Sequence, residues 1–234
     1  YFFKKLEMKQ KFTILFDLDG TLVDTAPDLM LAHNHVMKKF GYPTKSTEDI
    51  RNLVGKGAGA LIGRSIWGQA KKEFSKVLDA KIKDEMVKEF VNFYGKNIVN
   101  ESTLVTGVKD FLIWCKEQNI SMAVCTNKQE HLSNDLLKKI GIYDFFEYIA
   151  GSDTFDYCKP DPRHLTNVVE ILDGDVKKTI MIGDSETDAN AAKAAEIPVI
   201  LLENGYTEKN TTEIYHNHLI KDFIGIEKII SKYL

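Results

Sequence analysis

Asp17 and Asp19 are the first residues whose types and spacing could do chemistry. They lie in Phe16-Asp17-Leu18-Asp19-Gly20-Thr21, at the end of an apolar run, Phe12-Thr13-Ile14-Leu15-Phe16, with the length and composition of a buried strand. A strand places residues i and i+2 on the same side, so the two carboxylates start out facing the same way. Carboxylates that close repel each other unless a cation sits between them or one is protonated. A strand ending in an acidic turn also satisfies the local rules, because Asp and Gly favour turns. The rest of the chain has to decide between the two readings.

Three more strand ends, or loops just after them, carry reactive polar residues: Thr126 with Asn127, Lys159 in Cys158-Lys159-Pro160-Asp161-Pro162, and Asp184 with Asp188. Each has an ordinary explanation by itself. Thr-Asn after a strand caps a helix, a lone lysine is solvated, and Gly-Asp-Ser-Glu-Thr-Asp starts a helix because acids favour helix N-termini. Their joint occurrence, in order and each at a strand end, points to a site, since an open parallel sheet binds ligands at the carboxyl ends of its strands.

The elements that must position these residues follow from periodicity. Thr25 is a good N-cap and Pro27 suits a first turn; Leu29, Ala32, His33, Val36, Met37 and Phe40 recur at helical spacing up to Gly41. Ser46-Thr47-Glu48-Asp49 resembles a capping box. The glycine-rich run from Leu53 to Gly59 breaks the helices; it lacks the GK[ST] ending of a P-loop and follows no strand. From 60 to 99 the chain reads helical through Leu61, Ile62, Ile66, Phe74, Val77, Leu78, Ile82, Met86, Phe90, Phe93 and Tyr94. After Val105-Thr106-Gly107-Val108, helices at 109–118, 132–141, 163–172 and 187–195 alternate with strands at 120–125, 145–151, 179–182 and 198–202, before a last strand at Leu219-Ile220 and a last helix over 224–234.

This alternation predicts an α/β fold: a Rossmann-like parallel sheet core with helices on both faces. The helical block is too long for a single crossover, so residues 25–99 form an inserted all-helical domain, and residues 11–24 and 100–234 form the core.

Composition excludes several classes. The 234 residues suit one large domain, or one with a smaller companion, and 44% hydrophobic with 28% charged is ordinary for a globular chain. A net charge of −3 makes no case for nucleic acid or an anionic membrane as partner. Cys115, Cys125 and Cys158, without CxxC spacing, argue against a disulfide framework or a zinc site and fit a reducing cytoplasm. His33 with His35, and His216 with His218, do not suggest a metal site. No apolar run approaches the ~20 residues that span a bilayer. Residues 1–10 do not resemble a signal peptide, Met8 is a candidate internal or alternative start, and no function is assigned to them. Monomer and dimer stay open.

Asp17-Leu18-Asp19-Gly20-Thr21, Cys125-Thr126-Asn127-Lys128, the lysine of Lys159-Pro160-Asp161-Pro162, and Gly183-Asp184-Ser185-Glu186-Thr187-Asp188 resemble, in that order, the four motifs of the haloacid dehalogenase superfamily. The match covers nearly the whole chain, and the helical insert is similar to that superfamily's cap between motifs one and two. Asp24-Thr25-Ala26-Pro27-Asp28-Leu29 and Leu53-Val54-Gly55-Lys56-Gly57 look like the phosphoglycolate phosphatase branch.

The resemblance implies a magnesium-dependent phosphatase acting on a small phosphorylated substrate, best taken as 2-phosphoglycolate, through an aspartyl-phosphate. Asp17 is then the nucleophile and Asp19 the general acid and base. Lys159 supplies a fixed positive charge. Thr126, Asn127, Lys159 and Gly20 bind the phosphate. Asp17, the backbone carbonyl of Asp19, and Asp184 hold Mg²⁺, with Asp188 supporting Lys159 or a metal-bound water. The substrate's carboxylate needs a cation or an N–H-rich contact, from Lys56, from the backbone of Gly55 to Gly59, or from Arg51 or Arg64. Asp19 sets this chain apart from phosphonatases and haloalkanoate dehalogenases, which lack an acid there. The alternatives are a phosphosugar mutase of the β-phosphoglucomutase type, a broad-specificity sugar-phosphate or nucleotide phosphatase, and a catalytically silent regulatory module.

Overall fold

A computed structural model of the chain describes residues 10–67 and 80–234. In chain order its strands are β1 (Thr13–Phe16), β2 (Val23–Asp24), β3 (Thr103–Leu104), β4 (Ser121–Cys125), β5 (Tyr148–Ala150), β6 (Thr179–Gly183), β7 (Val199–Leu202) and β8 (His218–Ile220). Its helices are α1 (Ala26–Phe40), α2 (Thr47–Arg51), α3 (Ala58–Trp67), α4 (Ala80–Lys96), α5 (Val108–Glu117), α6 (Glu130–Ile140), α7 (Arg163–Ile171), α8 (Glu186–Ala194) and α9 (Glu227–Ile230).

Six strands make one parallel sheet in the order β5-β4-β1-β6-β7-β8. The four inner strands are apolar almost throughout because both faces of a parallel sheet are covered. Alternate side chains sort the core in two. Ile14, Phe16, Met122, Val124, Ile180 and Ile182 share a cluster with residues of α5 and α6 and with Ile230 of α9. Leu15, Ala123, Cys125, Met181, Val199 and Leu201 share another with residues of α7 and α8. The expected parallel sheet with helices on both faces is therefore the fold.

The strand order reverses beside β1. The chain goes from β1 to β4 and β5 on one side, then crosses to β6, β7 and β8 on the other. That reversal opens a crevice at the carboxyl ends of the central strands. Register brings the strand ends level there: Phe16 lies opposite Val124 on one side and Ile182 on the other.

The helices α1 to α4 leave and rejoin the sheet through an antiparallel pair, in which Val23 faces Leu104 and Asp24 faces Thr103. Two-residue strands carry no periodic signal, so sequence reasoning did not find this pair. Next to it, the buried Asp28 accepts hydrogen bonds from the N–H groups of Asn100 (3.1 Å), Glu101 (3.0 Å) and Ser102 (2.9 Å), and from the Ser102 hydroxyl (2.6 Å). One carboxylate thus fastens the start of α1 to the returning chain.

Local signals held in part. The Ser46–Asp49 capping box forms, with Ser46 Oγ accepting from Asp49 N at 3.2 Å. Thr25 sits at the N-cap of α1 but makes no cap bond, because its hydroxyl is drawn to Asp19 at 2.7 Å. The strand expected over 145–151 shrinks to Tyr148–Ala150, preceded by a 3₁₀ turn at Tyr143–Phe145, with Phe146 turned edge-on to Phe16 at 5.9 Å between centroids. The last helix is only Glu227–Ile230: Gly225 at φ +77° breaks the chain before it. Phe74, Val77 and Leu78, read as helical, and residues 1–9 lie outside the described residues. The three cysteines are free, and no helix among the described residues is long and apolar enough to cross a membrane.

Truncating Asp28 strands several buried donors at once, and each bond to a charged acceptor is worth about 1.5–3 kcal/mol. Asp28→Ala is expected to lower stability by at least about 3 kcal/mol, read from the urea midpoint, and Asp28→Asn by less because one acceptor oxygen remains. A loss below about 1 kcal/mol for the alanine variant would remove the clasp from the account.

Candidate active site

The site is built by strands running out. Asp17 follows β1 and is held in line by its N–H, which donates to Ile182 O at 2.9 Å. Thr126 follows β4, its N–H donating to Ala150 O at 2.9 Å, and Asp184 follows β6. Asp188 comes from the first turn of α8, where it closes a capping box with Ser185: its Oδ2 accepts the Ser185 hydroxyl at 2.7 Å and the Ser185 N–H at 3.1 Å. Lys159 enters from the loop between β5 and α7.

These residues converge. Lys159 Nζ lies 2.7 Å from Asp17 Oδ1 and 2.6 Å from Asp188 Oδ1. Asp17, Asp184 and Asp188 each present an oxygen within 4.8 Å of the others, and all three are buried. Burial pushes the Asp17 carboxyl up to about 7, against the pull of Lys159. Burial raises Asp184 as well, helped by the charges of Asp17 and Asp188 and opposed by the Tyr206 N–H. Burial also works against the charge of Lys159, but Asp17 and Asp188 outweigh it and hold the ammonium above its ordinary value.

Three carboxylates against one lysine leave excess negative charge in a place with little water. The donors are all oxygen, anionic and close together, which is what a hard divalent cation such as Mg²⁺ requires of its ligands. The residues present therefore fit the ion. The side chain of Asp19 stays outside this cluster: Oδ1 accepts the Thr25 hydroxyl at 2.7 Å and Oδ2 faces Lys128 Nζ at 2.9 Å.

A cavity of about 300 Å³ opens over Asp17, Asp19, Thr126, Asn127, Lys128 and Lys159. Leu29, Val54, Leu61, Val87, Phe90 and Tyr94, from α1, α3, α4 and the loop before α3, form its apolar roof. Gly55 to Gly59, Lys56 included, also line it, and the Asn127 amide ties roof to floor by donating to Gly55 O at 3.1 Å and Lys159 O at 2.9 Å.

Three expected contacts are placed elsewhere. Gly20 does not line the cavity: its N–H donates to Val23 O at 2.8 Å, so it has no donor for a phosphate. Its importance is steric, since at φ +84° an added Cβ would stand 2.2 Å from Asp184 Oδ2. Arg64 points away as well, donating to the carbonyls of Asn52 and Leu53 at 3.1 Å each and pairing with Glu208. Arg51 pairs with Asp24 at 2.6 Å and lies 5.4 Å over the Tyr206 ring. Both guanidiniums are engaged by carboxylates or carbonyls on the far side of the loop, which spacing in the chain cannot reveal.

The haloacid dehalogenase-like hydrolase family matches residues 14–202, a span that takes in every residue of the convergent cluster. The chain belongs to this family. The haloacid dehalogenase-like hydrolase is 38% identical over 210 residues to a phosphoglycolate phosphatase of Mesorhizobium japonicum, which covers 90% of each chain. Its fold is similar, at a TM-score of 0.85 and 31% identity, to the crystal structure of a "predicted phosphoglycolate phosphatase" from Haemophilus somnus, over 95% of this chain and 99% of that one. A β-phosphoglucomutase from Clostridium difficile shares the fold at a TM-score of 0.77 and 23% identity, over 95% of this chain and 97% of that one.

Sequence reasoning missed two residues of this hydrolase. Lys128 ends a motif that was noticed, but a lysine after a strand has no spacing that marks it as buried. Tyr206 lies beyond β7, and only the fold shows its N–H donating to Asp184 at 2.6 Å and its hydroxyl to Asp24. The glycine before it was the available signal, because a Cβ on Gly205 would stand 1.9 Å from Asp184 O.

The raised carboxyls give a pH-dependent test. The folded chain holds a proton on Asp17 between its ordinary value of 3.8 and about 7, so in metal-free protein this group's contribution to stability falls as pH rises through that window. A cation competes with that proton, so its stabilisation is present above about pH 7 and lost below. At about 100 times its dissociation constant, Mg²⁺ added to chelator-stripped protein at pH 8 is expected to raise Tm by about 5–10 °C. At about pH 5.5 the shift should be much smaller. Asp184→Asn should lose most of it; equal shifts at both pH values would detach the cation from these carboxylates.

Proposed function

We propose that this protein is a magnesium-dependent phosphatase that converts 2-phosphoglycolate to glycolate and phosphate through an aspartyl-phosphate on Asp17. The coarser statement, that it is a phosphoric monoester hydrolase, follows from its family and from relatives named phosphoglycolate phosphatase. The observation that carries the finer reading is Asp17 at the floor of a small cavity, 2.7 Å from a buried lysine, with a second acid, Asp19, lining the same cavity.

Uncatalysed phosphate-monoester hydrolysis is so slow that enzymes accelerate it by up to ~10²¹. Two displacements replace one difficult step. An Asp17 carboxylate oxygen attacks phosphorus, the P–O bond to the leaving group breaks, and Asp19 gives its proton to the departing alkoxide. Asp19 then takes a proton from a water, that oxygen attacks phosphorus, the bond to Asp17 breaks, and inorganic phosphate leaves. Lys159 offsets charge on the transferring group and on Asp17. The Thr126 hydroxyl donates to a non-bridging oxygen, its own N–H being spent on β5, and Asn127 supplies a backbone N–H beside it. Magnesium, held by Asp17, Asp184 and the backbone carbonyl of Asp19, would offset the repulsion between a carboxylate and a phosphate. The apolar roof acts as a cap that keeps bulk water from the acyl-phosphate. This reading places the enzyme in a reducing cytoplasm, in keeping with three free cysteines.

The likeness to a β-phosphoglucomutase carries the fold alone and does not favour phosphoryl transfer to a second sugar hydroxyl. Phosphate release, screened with Mg²⁺ across small phosphorylated acids, sugar phosphates and nucleotides, should favour 2-phosphoglycolate by at least about tenfold in kcat/KM; a sugar phosphate ahead of it would overturn the substrate.

Asp17→Asn should abolish turnover while leaving the circular dichroism spectrum unchanged, and wild-type-like phosphate release by it would refute the nucleophile. Asp19→Ala should slow 2-phosphoglycolate hydrolysis by about 10²–10⁴. Its effect on kcat/KM for p-nitrophenyl phosphate, which reports the first displacement and not the later attack of water, should be much smaller, because that leaving group departs without a proton. Equal losses on both would remove Asp19 as the acid.

A further inference from the structure

Three lysines, Lys56, Lys128 and Lys159, line the cavity; the chemistry above uses only Lys159, and of the other two Lys128 is the one paired with the acid Asp19. Lys128 is nearly as buried as Lys159, with 6% of its side chain exposed. Its Nζ faces Asp19 Oδ2 at 2.9 Å, donates to the Tyr94 hydroxyl at 3.2 Å, and stands 4.4 Å over the Tyr94 ring. Tyr94 comes from α4, so roof and floor of the cavity hold this cation together. Burial, with the charges of Asp19 and Asp28, keeps the Tyr94 hydroxyl well above its ordinary value and therefore neutral.

A buried ammonium is costly unless anions and acceptors surround it. Here its anionic partner is Asp19, the group that must turn to the leaving oxygen. An oxygen in hydrogen-bond contact with Asp19, at about 2.7 Å, is within one further contact of Lys128 Nζ. In a phosphorylated 2-hydroxy acid the carboxylate begins one carbon beyond that oxygen.

We propose that Lys128 binds the carboxylate of the leaving group and sets the enzyme's preference for phosphate esters of small 2-hydroxy acids, with Tyr94 as its positioning residue. The proposal deepens the 2-phosphoglycolate reading and rests on it. It moves carboxylate recognition away from Arg51 and Arg64, whose donors are engaged outside the cavity, and onto a residue beside the acid. An ammonium supplies three donors, and two go to Asp19 and Tyr94, which leaves one for the carboxylate.

The test compares 2-phosphoglycolate with ethyl phosphate, which has the same carbon count and no carboxylate. Wild-type enzyme with Mg²⁺ should prefer 2-phosphoglycolate. In Lys128→Met the kcat/KM for 2-phosphoglycolate should fall by about 100-fold, mostly in KM, and at least about tenfold more than that for ethyl phosphate. Tyr94→Phe should move the same ratio in the same direction by a smaller factor, and Lys128→Arg should recover part of the loss. Calorimetric binding of 2-phosphoglycolate to Asp17→Asn should weaken by at least about tenfold on adding Lys128→Met, with inorganic phosphate binding changed less. Equal losses on the two esters would show that Lys128 acts through Asp19 alone and overturn the proposal. Retained preference in Lys128→Met would overturn it while sparing the substrate reading; a wild-type enzyme with no preference would overturn both.

Discussion

Lys159 stands between Asp17 and Asp188, with Asp184 close by, and this crowding of charge is the constraint on which the rest of the structure depends. Three carboxylates are brought out of water near one ammonium. In solution they would separate; here two strands of the sheet and a helix cap hold them. Asp17 and Asp184 are the next residues after β1 and β6, and Asp188 is locked by the capping box of α8. The unfavourable electrostatics are sustained by a sheet whose inner strands are buried on both faces. Burial, with the charges of the neighbouring carboxylates, raises Asp17 and Asp184; a cation offsets both, so the cost in the folded chain is the source of affinity for the ion.

The helices over the sheet are joined to this cluster through polar threads. Asp184 accepts the Tyr206 N–H, the Tyr206 hydroxyl reaches Asp24 in β2, and Asp24 holds Arg51 at the end of α2. Asn127 joins Gly55 to the Lys159 carbonyl. Lys128 joins Tyr94 to Asp19. Each thread runs from a residue at the floor to one on the roof, so the position of the roof and the geometry of the floor are linked. The energy of each thread is modest, about 0.5–3 kcal/mol per hydrogen bond.

Much of this was legible in the chain. The strands around Phe16, Val124, Ile182 and Leu201 are short apolar runs, and buried parallel strands have that pattern because both faces are covered. Asp17, Lys159 and Asp184 were legible because each ends such a run or follows one in a loop. Other features were not. The pairing of Val23 with Leu104 joins residues 81 positions apart through two-residue strands, too short for any period. Gly20 was expected at the phosphate from the resemblance alone; its N–H is instead consumed by Val23, and its missing side chain serves Asp184.

The order of residue types along the chain determined the fold class and the identity of the acids and the lysine at the strand ends, because strand period and strand termination are local properties. Only the tertiary structure decided which cations enter the cavity. Arg51 and Arg64 are drawn out by Asp24 and Glu208, and Lys128 is drawn in by Asp19 and Tyr94. A long side chain takes its direction from the charges that surround it, and those charges lie far away in the chain.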